Sequence, residues 1–126
     1  MIKKAVTTPK AISNTAGEAA DYWKPVIKEL SSFGENVISR FARYGVAPTS
    51  LYVQEMENRW GSCTPKGKII LNTELIKAPR PCIEYVITHE MCHLLHPDHT
   101  AAFFTLLETE MPDWRRWKDK LERFMM

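Results

Sequence analysis

The sequence predicts an α+β fold, in which a small antiparallel sheet packs with a long helix before it and several helices after it. The observations behind this are an early apolar pattern at helical spacing, two strand-like segments mid-chain, and three further helical patterns. With 126 residues, the chain suits one small domain. We expect residues 1–14 to form a flexible arm and residues 15–126 to form the domain.

The first helix is predicted from a start signal, an apolar stripe and a stop signal. Thr15, with Glu18 three positions later, has the pattern of a capping box. Gly45 and Pro48 end the helical pattern. A stripe of this kind is interpreted as core rather than as a partner-binding face. Its apolar positions are Ala19, Trp23, Val26, Ile27, Leu30, Phe33, Val37, Ile38 and Phe41.

Two segments in the middle of the chain are predicted to be strands. Residues 50–57 alternate in polarity, and residues 68–72 are short and rich in β-branched side chains. The stretch 60–67 between them contains glycine and proline and is interpreted as a connection. The sequence therefore predicts that these two strands pair in a small antiparallel sheet.

All four histidines lie within residues 89–99. Two prolines upstream favour the start of a helix, and Pro97 ends it. On that helix His89 and His93 are one turn apart and face the same way. Glu90 lies beside them, so the segment has the HExxH pattern, in which two imidazoles hold a metal and a carboxylate accepts a proton from water.

Three residues are candidates for the third metal ligand of a catalytic zinc site. His99 is favoured because it lies beyond the predicted helix end, and three ligands on one straight helix cannot surround an ion tetrahedrally. Cys92 is interpreted as a small buried packing residue. His96 is interpreted as a residue that supports a ligand or is exposed.

The chemistry predicted for such a site is hydrolysis. Glu90 would act as general base towards a water whose pKa the metal has lowered, and would then pass the proton to the leaving amine. We expect one Zn²⁺ per chain and a peptide or protein substrate. A closed structural zinc site with four ligands is the alternative.

The motif and its context resemble the YgjP-like family of metal-dependent hydrolases, which is related to the SprT-like zinc peptidases. Residues 89–93 and 99–103 carry the resemblance together with Arg59-Trp60-Gly61-Ser62-Cys63, and it extends over roughly residues 46–118. Further matching segments are 67–72, Ala78-Pro79, Tyr85-Val86-Ile87 and Met111-Pro112-Asp113.

The resemblance implies a zincin-like metallopeptidase domain, with zinc bound by His89, His93 and His99 and with Glu90 catalytic. Family members are commonly longer before the corresponding region, so this chain resembles a short form. Because SprT-like relatives act on proteins attached to DNA, a nucleic-acid-associated protease is a second candidate function.

Five residues are candidates for substrate binding. Arg59 is interpreted either as a ligand for a substrate carboxylate or scissile carbonyl, or as a structural arginine. Trp60 is interpreted mainly as packing. In zinc peptidases an exposed strand beside the metal commonly takes the substrate as an added strand. This role is assigned to Ile69, Ile70 and Leu71, or to the loop before them.

The end of the chain predicts two more helices. Thr100 is a suitable N-cap for the first. The second places Trp114, Trp117, Leu121 and Phe124 on one side and basic residues on the other, and is interpreted as a helix that closes the core.

Composition limits the remaining function classes. The net charge of +2 comes from interspersed charges and gives no support for nucleic-acid binding. The three cysteines, Cys63, Cys82 and Cys92, fit a reducing cytoplasm. No stretch has the pattern of a signal peptide or a membrane span, so we expect a cytoplasmic protein without a membrane partner.

Overall fold

The structure is a computed structural model that describes residues 2–3, 10–11 and 18–124. It confirms the α+β class. Within the described residues the strands are β1 (Ile2–Lys3), β2 (Lys10–Ala11), β3 (Ser50–Glu55), β4 (Arg59–Cys63) and β5 (Lys68–Asn72). The helices are α1 (Glu18–Phe41), α2 (Arg80–Cys92), α3 (Ala101–Glu110) and α4 (Trp114–Phe124), with short 3₁₀ turns at Ala42–Tyr44 and Thr73–Lys77.

Helix α1 ends where the sequence predicts. A 3₁₀ turn follows it, and Gly45 then adopts a left-handed conformation with φ of 73°, which favours glycine. Leu30, Val37 and Phe41 of the predicted stripe are buried. Thr15, the proposed capping residue, lies outside the described residues.

The sheet is mixed, and the predicted antiparallel pairing of residues 50–57 with residues 68–72 is wrong. The connection between them contains β4, which runs antiparallel to β5. Because the chain reverses twice, at Asn58 and at Gly67, β5 returns parallel to β3. The strand order is β1-β4-β5-β3-β2.

Four residues from the predicted arm of residues 1–14 are described, and they pair with the sheet. Strand β1 pairs antiparallel with β4, with Ile2 opposite Gly61. Strand β2 pairs antiparallel with β3, with Lys10 opposite Glu55. The rest of the predicted arm lies outside the described residues.

Helix α2 is the central element of the core. It packs against α1, α3 and α4 and against β4 and β5. Its residues Cys82, Ile83 and 85–92 are all buried, so the HExxH motif lies inside the domain. None of the helices in the described part of the chain has both the length and the apolar character needed to cross a membrane.

The last two helices form as predicted. The hydroxyl of Thr100 accepts a hydrogen bond of 3.3 Å from the backbone N–H of Phe103 and so caps α3. Trp114 and Leu121 of α4 are buried against the core, whereas Phe124 is 43% exposed. The interpretation of α4 as the closing helix is confirmed.

Candidate metal centre

The first two histidines of the centre lie at the C-terminal end of α2. His89 and His93 are 5% and 8% exposed, and their ring centroids are 5.0 Å apart. Pro79 lies at the N-cap of α2, and the helix ends before Pro97, as the prolines predict. The periodicity of an α-helix alone therefore places both imidazoles on one side.

The third histidine comes from the connection between α2 and α3. His99 is exposed and directly precedes Thr100, the cap of α3. One ring nitrogen from each of His89, His93 and His99 lies within 4.8 Å of the others. A metal ion with metal–nitrogen distances of about 2.1 Å in tetrahedral geometry would draw these atoms to about 3.4 Å from one another. Among the described residues these three histidines form the one cluster of this kind.

An aromatic side chain supports all three histidines. The ring centroid of the buried Phe103 lies 5.0 Å from that of His89, 4.6 Å from that of His93 and 4.9 Å from that of His99. Phe104 stacks on the outer side of His99 at 6.0 Å. These contacts restrict the rotation of the imidazoles and orient them before any metal binds.

A backbone carbonyl fixes the tautomer of His93. Its Nδ1 lies 3.1 Å from the carbonyl oxygen of His96, which can only accept a hydrogen bond. The tautomer with a proton on Nδ1 carries its lone pair on Nε2, the form that a metal needs. Burial also lowers the pKa of His93 to about 4, so this imidazole is neutral near pH 7. The sequence analysis considered only the side chain of His96 and did not foresee the role of its carbonyl.

Glu90 is the least solvated charged group of the centre. It is 0% exposed, and neither of its carboxylate oxygens has a hydrogen-bond donor among the described residues. Its Oε2 lies 3.6 Å from Nδ1 of His89, which also has no hydrogen-bond partner there. Burying an unpaired carboxylate is unfavourable. A cation beside Glu90 and a water between them would compensate it, so the residues present fit a metal ion.

Cys92, the alternative ligand, packs in the core. It is 0% exposed, and burial raises the pKa of its thiol to about 12. A thiol must lose its proton to bind zinc. The structure thus agrees with the interpretation of Cys92 as a packing residue.

Strand β4 lies against the metal-binding helix because it contains Gly61. A Cβ atom at this position would be 2.9 Å from Cγ1 of Val86 and 3.3 Å from Cγ of Glu90. Only glycine allows the strand to come this close. The sequence pattern of residues 60–67 predicts a connection here rather than a strand. A glycine inside a short strand-like segment was the signal that could have revealed the contact.

Arg59 and Trp60 lie in β4 and are partly buried. Nη1 of Arg59 donates a hydrogen bond of 3.1 Å to the hydroxyl of Ser62. Trp60 packs against the core, in agreement with its interpretation as a packing residue. A role of either residue in substrate binding stays a prediction.

The structure does not favour Ile69, Ile70 and Leu71 as the strand that receives substrate, and the alternative, the loop before them, stays a prediction. The three residues belong to β5, which pairs with β3 on one side and with β4 on the other. All three residues are buried. Both sides of β5 are paired with longer strands, whereas β4, which also lies against α2, has only the two-residue β1 on its outer side.

A helix carrying two histidines and a buried glutamate, a third histidine after a turn and an adjacent strand together define a metallopeptidase centre. Residues 5–124 match the family model described as YgjP-like, metallopeptidase domain, and the chain belongs to this family. This confirms the resemblance seen in the sequence.

A solved structure shares the fold. The crystal structure of the metallopeptidase zymogen of Pyrococcus abyssi abylysin aligns with a TM-score of 0.60 and 17% identity. The alignment covers 76% of this chain and 91% of that chain. No curated protein is significantly similar in sequence.

Proposed function

We propose that the protein is a zinc-dependent peptidase that hydrolyses peptide bonds with Glu90 as general base. The observation that carries this proposal is the buried carboxylate of Glu90, which lacks a donor beside three converging histidines. Structural carboxylates are normally paired when buried. An unpaired one next to a cluster of metal ligands suits a group that exchanges protons during catalysis.

In this mechanism His89, His93 and His99 would hold the metal, and Phe103 would fix their orientation. Zinc bound there would lower the pKa of a water molecule and polarise the scissile carbonyl. Glu90 would accept a proton from the attacking water and give it to the leaving amine. Burial would keep competing bulk water away from the carboxylate.

The site has the composition of a catalytic rather than a structural zinc site. Within the described chain the cluster contains three candidate ligands, and neither Cys92 nor His96 joins it. Catalytic zinc sites keep the fourth position for water, whereas structural sites are closed by four protein ligands. This distinction favours the peptidase over a structural zinc domain.

The substrate would be an extended peptide, and its position would be along β4. This strand lies next to α2, and its Gly61 is close to Glu90. Peptides commonly bind to sheets by adding a strand. A cytoplasmic location belongs to the same proposal, supported by three cysteines that are all free thiols.

The proposal is tested by zinc content and peptide hydrolysis of the wild type and of Glu90→Gln. We expect both proteins to bind one zinc per chain and only the wild type to cleave a broad peptide library. Zinc binding without cleavage by either protein would reject catalysis. Equal cleavage by both would reject Glu90 as the base.

A further inference from the structure

Both sides of β4 are occupied by other strands. On one side Gly61 lies opposite Leu71 of β5. On the other side Gly61 lies opposite Ile2 of β1, and Arg59 lies opposite Lys3. The edge of β4 that faces away from β5 is therefore paired with β1, a segment of the same chain.

The paired stretch of β4 includes Gly61, which lies close to the carboxylate proposed as general base. A Cβ atom at Gly61 would lie 3.3 Å from Cγ of Glu90. A peptide that adds to β4 beside Glu90 would have to pair at the same backbone positions as Ile2 and Lys3. Two strands cannot use the same row of N–H and C=O groups.

We propose that β1 inhibits the enzyme by occupying the strand edge that the substrate needs. The inference rests on the proposed function, since it assumes that substrate pairs with β4. A tethered segment acts at an effective concentration in the order of millimolar. A substrate at micromolar concentration must therefore pair with β4 more tightly than β1 does in order to displace it.

The inhibition would be graded rather than complete. Strand β1 has only two residues, and its register with β4 is irregular between them. So short a pairing is weak, and substrate can displace it. Competition of this kind raises KM and leaves kcat unchanged, because β1 has already been displaced from β4 in the enzyme–substrate complex.

The double variant Ile2→Pro/Lys3→Pro tests the proposal without altering β4, α2 or the histidines. Proline has no N–H to donate and disfavours strand pairing. With fluorescein-labelled casein as substrate, we expect KM of the zinc-loaded protein to fall roughly 3- to 10-fold and kcat to stay the same, as relief from a tethered competitor requires.

A matched control is available at the opposite edge of the sheet. Strand β2 also has two residues and pairs with β3, at the edge of the sheet opposite to β1. Lys10→Pro/Ala11→Pro should leave KM unchanged. An equal fall of KM in both variants would show that the substitutions loosen the whole sheet, and it would overturn the proposal. An unchanged KM in both variants would also overturn it.

Substrate binding to Glu90→Gln, which should not cleave its substrate, measures the inhibition by β1 independently of catalysis. There we expect casein to bind more tightly when Ile2→Pro/Lys3→Pro is added, measured by fluorescence anisotropy. Equal binding, or no binding, would overturn the inference. Tighter binding in the absence of any cleavage by the wild type would instead retain the inference and reject the proposed catalysis.

Discussion

Nδ1 of His93 lies 3.1 Å from the carbonyl oxygen of His96, so the turn that follows α2 orients a histidine of the candidate metal centre. The turn continues into Pro97, whose ring restricts the backbone of His96. The direction of the carbonyl therefore depends on an exposed residue that contacts no metal. This relationship gives the first prediction.

Replacing Pro97 by Gly should weaken zinc binding by about 10-fold, because it loosens the His96 carbonyl that orients the ring of His93. The loss of a hydrogen bond that orients a metal ligand typically reduces metal affinity by 10- to 100-fold. The fold should persist. Competition with a zinc-selective chelator measures the effect. Pro112→Gly, at another exposed proline in the turn before α4, is the control and should bind zinc like the wild type.

His99→Ala should lower zinc affinity by more than about 100-fold, because it removes a proposed metal ligand itself rather than a group that hydrogen-bonds to a ligand. His96→Ala removes a histidine of the same segment whose side chain lies outside the cluster, and it should retain one zinc per chain. Full zinc stoichiometry in His99→Ala at low zinc concentration would exclude His99 from the ligand set.

Gly61→Ala should lower kcat and reduce stability by about 1–3 kcal/mol, since the added methyl group overlaps Val86 and presses on Glu90. Zinc binding should survive, because the three atoms nearest to the added methyl group belong to Val86, Glu90 and Ile70 rather than to a histidine of the cluster. Adding Val86→Ala makes room and should restore part of both losses. If the stability effects of the two substitutions simply added, the two positions would act independently, and this would contradict a contact between them.

Glu90→Gln should stabilise the metal-free protein by about 1 kcal/mol, because it removes a buried charge that lacks a donor. Urea unfolding in the presence of a chelator measures the change. Glu35→Gln, on the exposed side of α1, should have a much smaller effect. Destabilisation by Glu90→Gln would mean that the carboxylate is paired after all.

The stability of the protein should fall between about pH 9 and pH 11, in part through Cys63. Burial, aided by the negative charge of Glu90, raises the pKa of this thiol to about 11. The unfolded chain then loses the proton at lower pH than the folded chain does, so rising pH favours unfolding across this window. Cys63→Ala should lose less stability than the wild type between pH 8 and pH 10 in urea unfolding under reducing conditions.

The metal centre could be predicted because its geometry is local. The spacing of His89 and His93 on one helix sets their common face, and Pro97 sets the end of that helix. His99 is placed near them by a short turn. Few conformations are available to the eleven residues 89–99 under these constraints, so the sequence is sufficient to predict the cluster.

The sheet could not be predicted in the same way because its pairing is non-local. Residues 59–63 contain a glycine that resembles turn punctuation, and the strand was missed for that reason. Once β4 is missed, the orientation of β5 relative to β3 reverses, and an interior strand is mistaken for an edge. The close packing of Gly61 against α2 shows why this strand contains a glycine. The contact joins distant parts of the chain, so no periodic pattern in the sequence indicates it.

The ring of Phe103, in contact with all three histidines, also determines how metal and folding are related. In small zinc domains the ion itself organises the chain, and chelation unfolds them. Here a buried phenyl ring and the core behind it organise the ligands. We therefore expect that a metal bound at this site can be removed with a chelator and added again without unfolding the domain.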